Sequence, residues 1–382
     1  MKIALVSPYD WTVPGGVNGH CARLREEFVG RGHEVRIYAP ASRPVQQQDV
    51  VTIGKRPVSV PASGSLARIS LSLTLGPPVR DVLAQEQFDI VHVHEPFMPV
   101  LPIHFLRYST SVNVGTFHAS REKRQFFYTW GKRHLRRWFR RLDGKIAVSS
   151  AAARFVEEYF PGYYNIIPNG VDVAHFAADV APLTQYRDGK LNILFVGRPE
   201  KRKGLDHLVR AFAEVKRRNP DTRLIIVGAG KFDRYERRAR SLRLSDVVFH
   251  SYVPYEELPR YHHSAHVFCA PNTGFESQGL VLLEAMAAGL PVVASNIEGF
   301  ASVLTHDVEG LLSLPGDEEG LADALLELLA DGDRRREMAE RGRQRAEEFS
   351  WERVSQQILS YYERLLHERK ATVLEQEPAR AG

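Results

Sequence analysis

The sequence predicts an α/β fold made of two doubly wound parallel-sheet domains in tandem, and three observations carry that prediction. Short apolar runs alternate with helix-length amphipathic segments, the signature of βαβ units. The series runs once through the first half of the chain and then restarts in the second. The length, 382 residues, suits two domains. Apolar residues at 43% and charged residues at 25% fit a globular chain and exclude collagen, coiled coil and wholesale disorder.

The first series opens with the apolar run IALVS at 3–7, a Gly-Gly loop and a helix ending near Gly30. Further strands follow at 35–40 (VRIYAP), 89–94 (DIVHVH), 112–117 (VNVGTF) and 145–149 (KIAVS). The second series begins with NILFVG at 192–197 and a helix from Gly204. Strands at 224–228, 247–251, 266–271 and 291–295 complete it. Between the two lies a polar stretch, 173–190, without strand periodicity. A boundary there gives domains 1–175 and 176–350, joined by a hinge and facing a shared cleft, with ligands at the carboxyl ends of strands. The helix over 351–369 is expected to return to the N-terminal domain, and 370–382 reads as a disordered tail.

Two cysteines, Cys21 and Cys269, cannot build a disulfide framework, which favours a reducing cytosol. The apolar start meets Ser7-Pro8 too early for a signal-peptide core, and no window offers 18 apolar residues. The expectation is a cytoplasmic protein, soluble or attached to a membrane surface.

Chemistry gathers at the loops after strands. The first strand ends in Ser7-Pro8-Tyr9, and Pro14-Gly15-Gly16-Val17-Asn18 opens the first helix. Adjacent glycines there allow backbone N–H groups to approach an anion, although a tight turn uses the same pair. The pattern is not G-x-G-x-x-G, which disfavours a dinucleotide oxidoreductase. Gly197-Arg198-Pro199-Glu200-Lys201-Arg202-Lys203-Gly204 sets four cations between a strand and a helix, a phosphate-binding arrangement or a solvated basic loop. Gly228 and Gly230 end the next strand. The strongest signal is Gly274-Phe275-Glu276-Ser277-Gln278-Gly279 followed by LVLLEAMAAGLPVVAS. One acid, Glu276, stands in a glycine-bounded loop, and a second, Glu284, stands inside the helix that starts near Leu280. Asp331-Gly332-Asp333 lies away from any strand end and reads as a surface turn. His92 and His94 share one face of a strand, but no third metal ligand is legible, so they read as structural and no metal site is assigned.

Glu276 and Glu284, with Gly197-Arg198, Lys203-Gly204 and Ile167-Pro168-Asn169-Gly170-Val171-Asp172, resemble retaining glycosyltransferases of the GT-B fold, the large family four. The resemblance covers about 1–365. Within that family SPYDWTVPGGVNGH, HVHEP, GTFHAS and SGSLAR look most like bacterial phosphatidylinositol mannosyltransferases.

That resemblance implies two Rossmann-like domains and a nucleotide-sugar donor, GDP-mannose favoured, with no cofactor needed for the chemistry. Arg198 and Lys203 would hold the diphosphate, Glu284 the ribose, and Glu276 the sugar hydroxyls. Gly228 and Val253 would frame the base. Ser277, Gly279 and Leu280 complete the donor loop, and Gly15 and Gly16 would meet the diphosphate from the opposite domain. His118, after the strand VNVGTF, matches the histidine beside the donor sugar. Tyr9, Asn18, Arg68 and Lys123 would contact the acceptor, Arg68 through its phosphate. The sequence departs from the family at Gln278, commonly aromatic. It also departs from the inositol type at Asn18 and Ala62-Ser63, usually Gln and Tyr-Asn. A phospholipid-like acceptor therefore fits better than inositol itself.

The net charge of +5 is concentrated in one place. Residues 121–145 hold ten Lys and Arg against two acids, so the rest of the chain is net −3. Leu135, Trp138, Phe139 and Leu142 follow helical spacing on one face. Lys132, Arg133, Arg136, Arg137, Arg140 and Arg141 cover the remainder. The segment reads as a helix lying in an anionic membrane interface with its aromatics inserted, at the inner face of the plasma membrane. The competing reading packs the apolar stripe on the first domain, and a nucleic-acid partner is disfavoured by the sugar-transfer motifs. The expected activity is transfer of a hexose, mannose favoured, to a membrane phospholipid such as phosphatidylinositol. The rivals are UDP-glucose or another donor acting on a different glycolipid, polyisoprenoid or soluble acceptor, and a non-catalytic membrane-surface protein. Oligomeric state is not legible.

Overall fold

The structure, a computed structural model, describes residues 1–54, 57–62, 65–119, 126–274 and 276–376, without the side chains of 61, 62, 65, 66, 73, 126, 127 and 372–376. The chain forms two compact units. The first holds residues up to Gly170 together with the helix that starts at Trp351, and the second runs from Val171 to Ser350.

Unit 1 is built on strands β1 (Lys2–Val6), β2 (Glu34–Ala39), β3 (Val50–Thr52), a hairpin of β4 (Val58–Ala62) and β5 (Ser65–Ile69), then β6 (Ile90–His94), β7 (Val112–Phe117), β8 (Gly144–Ala147) and β9 (Asn165–Ile166). Seven of them form one parallel sheet in the order β3-β2-β1-β6-β7-β8-β9, while β4 and β5 pair antiparallel. Ile3, Ala4, Leu5 and Val6 are fully buried, as a continuous apolar run covered on both faces demands. The order reverses between β1 and β6, so the loops after those strands and after β7 open onto one switch point. The β4–β5 hairpin reaches that edge: Asp10 N donates to Arg68 O at 2.8 Å.

Unit 2 repeats the design with β10 (Leu191–Val196), β11 (Thr222–Val227), β12 (Val247–His250), β13 (Val267–Ala270), β14 (Val292–Ser295) and β15 (Gly310–Ser313), in the order β12-β11-β10-β13-β14-β15. Its switch point lies between β10 and β13. The shared order of the two sheets is the physical content of the restart seen in the sequence. Each strand is apolar because helices cover both faces, as Phe195, Leu208 and Phe212 illustrate on one side and Phe268, Leu282 and Met286 on the other.

Three expectations need correction. The stretch 173–190 is not a free hinge: it includes the helix Val173–Ala177, and Phe176 and Tyr186 are buried in the core of unit 2. The passage between units falls at Gly170–Val171. The C-terminal helix runs Trp351–Gln376 and so continues past 369, because Ala371-Thr372-Val373-Leu374-Glu375-Gln376 contains no breaker. Residues 377–382 lie outside the described part. Val354, Ile358 and Tyr362 of this helix are buried beside Leu24 and Phe28 of unit 1. Strands β3, β9 and β15, at three, two and four residues, are too short to show a period in the sequence, and Pro61 interrupts the strand pattern of the hairpin.

Candidate active site

In unit 2 the loop leaving β10 meets the loop leaving β13. Lys201–Lys203 form one 3-10 turn, and Gly204, at φ 69°, caps the helix Leu205–Arg218. A Cβ on Gly204 would stand 1.7 Å from the Pro271 carbonyl oxygen, so only glycine lets this turn lie against the β13 loop. Gly228 is equally confined, 1.9 Å from the Gly197 carbonyl oxygen. The close packing delivers Lys203 to Glu276, with Nζ donating to Oε2 at 2.6 Å. Asn272 Nδ2 donates to the same oxygen at 3.0 Å, and Arg202 Nη1 lies at 3.4 Å. Arg198 is turned to Glu200 instead, at 3.0 Å, and is half exposed. Arg202 and Asn272 were not singled out from the sequence. Arg202 stood in the basic run, whereas nothing local marks Asn272.

Glu284 lies on the helix Leu280–Ala287, capped by Gly279. Part of its surface stays open, yet burial pushes its carboxyl up to about 7, against the pull of the Lys203 charge. Ser277 and Leu280 are half-buried at the same loop, Gln278 is buried, and Val253 is half-buried just beyond β12. Asp331 and Asp333 do lie in a surface turn, Asp331 capping the next helix through Arg334 N.

In unit 1 the loop after β1 is held from within. Ser7 Oγ donates to Asn18 Oδ1 at 2.7 Å, and Asn18 Nδ2 donates to the Asp10 carbonyl at 2.9 Å. Asn18 is buried, so it braces the loop and does not face an acceptor as expected. Tyr9 is half-buried, its hydroxyl pushed far up by burial and then by the Glu95 charge. Arg68 stands at the rim, 40% exposed, with Nε 3.6 Å from the buried Asp10 carboxylate. Burial opposes charge on Asp10, but hydrogen bonds from Thr12 and Ser42 outweigh it and hold the group below its ordinary value. Gly15 and Gly16 are exposed, and a Cβ on either would meet nothing within 4 Å. Packing of the chain itself therefore does not require glycine there.

His118 follows β7. Its backbone N–H and that of Ala119 donate to Glu95 Oε1 at 2.8 and 2.9 Å. Glu95 itself sits at φ 47°, a strained conformation for a non-glycine residue, and burial pushes its carboxyl up to about 7 against those two hydrogen bonds. The ring of His118 reaches His94, Nε2 to Nδ1, at 3.0 Å. His20 packs on both, with ring centroids 5.2 Å from His94 and 5.0 Å from His118. Burial lowers His118 to about 4 and holds His94 and His20 well below the ordinary histidine range, so all three rings are neutral at pH 7. His92, in contrast, is satisfied by Thr116 Oγ1 at 2.6 Å and Tyr362 Oη at 2.5 Å. The reading that no third ligand accompanies the pair 92 and 94 is thus corrected. His94 gathers with His20 and His118, one nitrogen of each within 4.8 Å of the others, and His92 stays apart.

The helix Phe126–Phe139 carries the basic segment, and Lys123 lies outside the described residues. Leu135, Trp138 and Leu142 are buried in the core of unit 1 with Phe97, Tyr128 and Phe160. Trp138 is therefore not available to lipid, which corrects its assignment to the membrane: the sheet supplied the apolar partner that the stripe required. Arg133, Arg136, Arg137 and Arg140 are exposed, Lys132 is half-buried, and Arg141 donates to the Ser109 carbonyl at 2.5 Å. Among the described side chains of this helix, Trp130 is an exposed aromatic, at 78%. Among the described residues no helix is long and apolar enough to cross a membrane.

The family described as Glycosyltransferase Family 4 matches residues 14–175, and Glycosyl transferases group 1 matches 184–345. The phosphatidyl-myo-inositol mannosyltransferase of Mycolicibacterium smegmatis is 38% identical over 365 residues, covering 95% of this chain and 94% of that protein. The Propionibacterium freudenreichii protein of the same name is 34% identical over 375 residues, covering 95% and 94%. In fold, the sucrose-phosphate synthase of Thermosynechococcus elongatus aligns with TM-score 0.76 at 22% identity, covering 96% of this chain and 99% of that one. With both halves matched and the GT-B architecture present, the chain is a glycosyltransferase and belongs to family four, the group that includes the phosphatidyl-myo-inositol mannosyltransferases.

Proposed function

We propose that the enzyme transfers mannose from GDP-mannose to a membrane phospholipid, phosphatidylinositol first among the candidates, with retention of configuration. One observation carries the reading: the 38% identity to a phosphatidyl-myo-inositol mannosyltransferase extends over 95% of the chain and so spans both units. On unit 2, Lys203 and Arg202 meet the diphosphate, with Arg198 turning inward from Glu200. Glu276 takes sugar hydroxyls, Glu284 the ribose, and Gly228 and Val253 the base. On unit 1, Arg68 takes the acceptor phosphate beside Tyr9, and open space at Gly15 and Gly16 admits an anion to backbone N–H groups. Neutral His118 presents a ring nitrogen to a sugar hydroxyl.

The bond between the sugar anomeric carbon and the diphosphate oxygen breaks as the acceptor oxygen bonds to the same carbon. The acceptor proton passes to the departing phosphate. Negative charge builds on that phosphate, and fixed cations stabilise it because they need no reorganisation. The exposed arginines of the helix Phe126–Phe139 hold the protein to anionic lipid, on the cytosolic side where nucleotide sugars are made. The two described cysteines, Cys21 and Cys269, are free and buried, which suits a reducing compartment.

The test incubates purified protein with radiolabelled GDP-mannose, UDP-glucose and other nucleotide sugars, using vesicles with and without phosphatidylinositol. Mannosylated phosphatidylinositol is the expected product, lost in Glu276→Ala. Labelling of another lipid, or from another donor alone, refutes the specificity. Turnover intact in Glu276→Ala refutes the site.

A further inference from the structure

His20, His94 and His118 come from three segments that only the fold unites: the second turn of the helix Gly16–Gly30, the last residue of β6 and the first after β7. Three imidazoles so close in a protein interior are unusual when unsatisfied. Here Nε2 of His94 is buried with no hydrogen-bond partner among the described residues, and the buried ring nitrogens of His20 meet none in good geometry, although the Asn169 side chain stands within reach of His20 and His118. Buried polar atoms are nearly always paired, and an orphaned set points to a role outside the chain's own packing. Nearby His92 shows the ordinary alternative, with both nitrogens bonded.

We propose that His20, His94 and His118 form a binding site for a borderline divalent transition metal, with Zn²⁺ the best match, and that the bound ion holds the enzyme inactive. Three imidazoles are a common zinc donor set with a fourth position left for water. In a tetrahedral site with metal–nitrogen bonds of about 2.0–2.1 Å, neighbouring nitrogens lie about 3.3 Å apart. His94 Nδ1 and His118 Nε2 already stand 3.0 Å apart. The ion takes the place of the hydrogen bond between them. The ring that donated it moves its proton to its other nitrogen, so both rings offer lone pairs and no net proton is released. His20 supplies the third nitrogen. His118 is only half-buried, which gives the ion an entrance.

The inhibitory consequence rests on the reading above that His118 serves the donor sugar, since a ligating nitrogen cannot also meet a hydroxyl. Metal binding itself does not rest on it.

The test titrates full-length protein with Co²⁺ and follows its visible d–d absorption, then displaces it with Zn²⁺. One equivalent is expected to give the intense spectrum of a four-coordinate ion, and Zn²⁺ to raise the thermal midpoint. His20→Gln and His94→Ala, checked for folding by circular dichroism, are expected to lose at least about tenfold in affinity. No spectrum with folded wild type, or a spectrum undiminished in both variants, overturns the site. Zn²⁺ binding accompanied by loss of transfer supports the whole proposal. Binding with transfer unaffected keeps the metal site and overturns the place given to His118.

Discussion

Donor affinity should depend on the protonation of Glu284. Burial raises this carboxyl from 4.5 to about 7, against the Lys203 charge. At 1.36 kcal/mol per unit the shift is worth about 3 kcal/mol at most, because part of the residue meets solvent. The native value lies above the unfolded one, so the stability contribution is complete below about pH 4.5 and is lost as pH rises through 7. Unit 2 without donor should therefore be less stable at pH 8 than at pH 5, and Glu284→Gln should shrink that difference. Ribose binding runs the other way, since two hydroxyls need the ionised form. With a pKa of about 7, the ionised fraction climbs from roughly 0.1 at pH 6 to roughly 0.9 at pH 8. Affinity for the nucleotide sugar should rise about tenfold, or about 1.4 kcal/mol, over that range. Its diphosphate is a diester and does not titrate there. Calorimetric titrations at pH 6, 7 and 8 measure the slope. Glu95 titrates in the same window, so the variant is the deciding control: Glu284→Gln should bind weakly and without pH dependence. A flat wild-type profile, or a variant that keeps the slope, refutes the assignment.

Other substitutions test separate links. Gly204→Ala forces a left-handed residue and a clash with the Pro271 carbonyl; at about 1–2 kcal/mol for the backbone and about 1–3 for overpacking, the thermal midpoint of unit 2 should fall by on the order of 10 °C. An unchanged midpoint would mean that the loops of β10 and β13 do not pack as described. Replacing Arg133, Arg136, Arg137 and Arg140 with Ser should remove about 4 kcal/mol of attraction to anionic vesicles, roughly a thousandfold, with the fold intact; unchanged sedimentation with vesicles would refute the membrane role of this face. Trp138→Ala should cost about 3–5 kcal/mol of stability, whereas Trp130→Ala should weaken vesicle binding and leave the thermal midpoint alone. The reverse pattern would restore Trp138 to the lipid interface.

Much of the fold was legible because fully buried parallel strands must be apolar throughout. Runs such as IALVS and NILFVG announce themselves without any partner in view. The hinge was misplaced for a related reason. Phe176 and Tyr186 are single anchors in a polar stretch, and a lone aromatic carries no period. The amphipathic stripe of Leu135, Trp138 and Leu142 was legible as a stripe, but not as to what covers it. Lipid and a protein core accept the same i, i+3, i+4 pattern, and only the sheet's unfilled face decides between them.

The two halves of the site differ in legibility for a physical reason. In unit 2 the phosphate-binding loop and the Glu276–Glu284 pair are each local, because a helix start and the loop before it are contiguous in sequence. Even there, Asn272 acts on Glu276 from only four residues away and went unread, since an asparagine after a strand has many uses. In unit 1 the chemistry is assembled across strands. His94 and His118 sit side by side because β6 and β7 pair with His94 opposite Thr116, and His20 joins them because its helix follows the neighbouring strand. A doubly wound sheet brings such residues together through strand order, which the sequence states only implicitly. A single buried histidine is ordinary, but three in mutual contact, two of them with unpartnered nitrogens, are not. The distinction between them lies in burial and hydrogen bonding, quantities that exist only once the chain is folded.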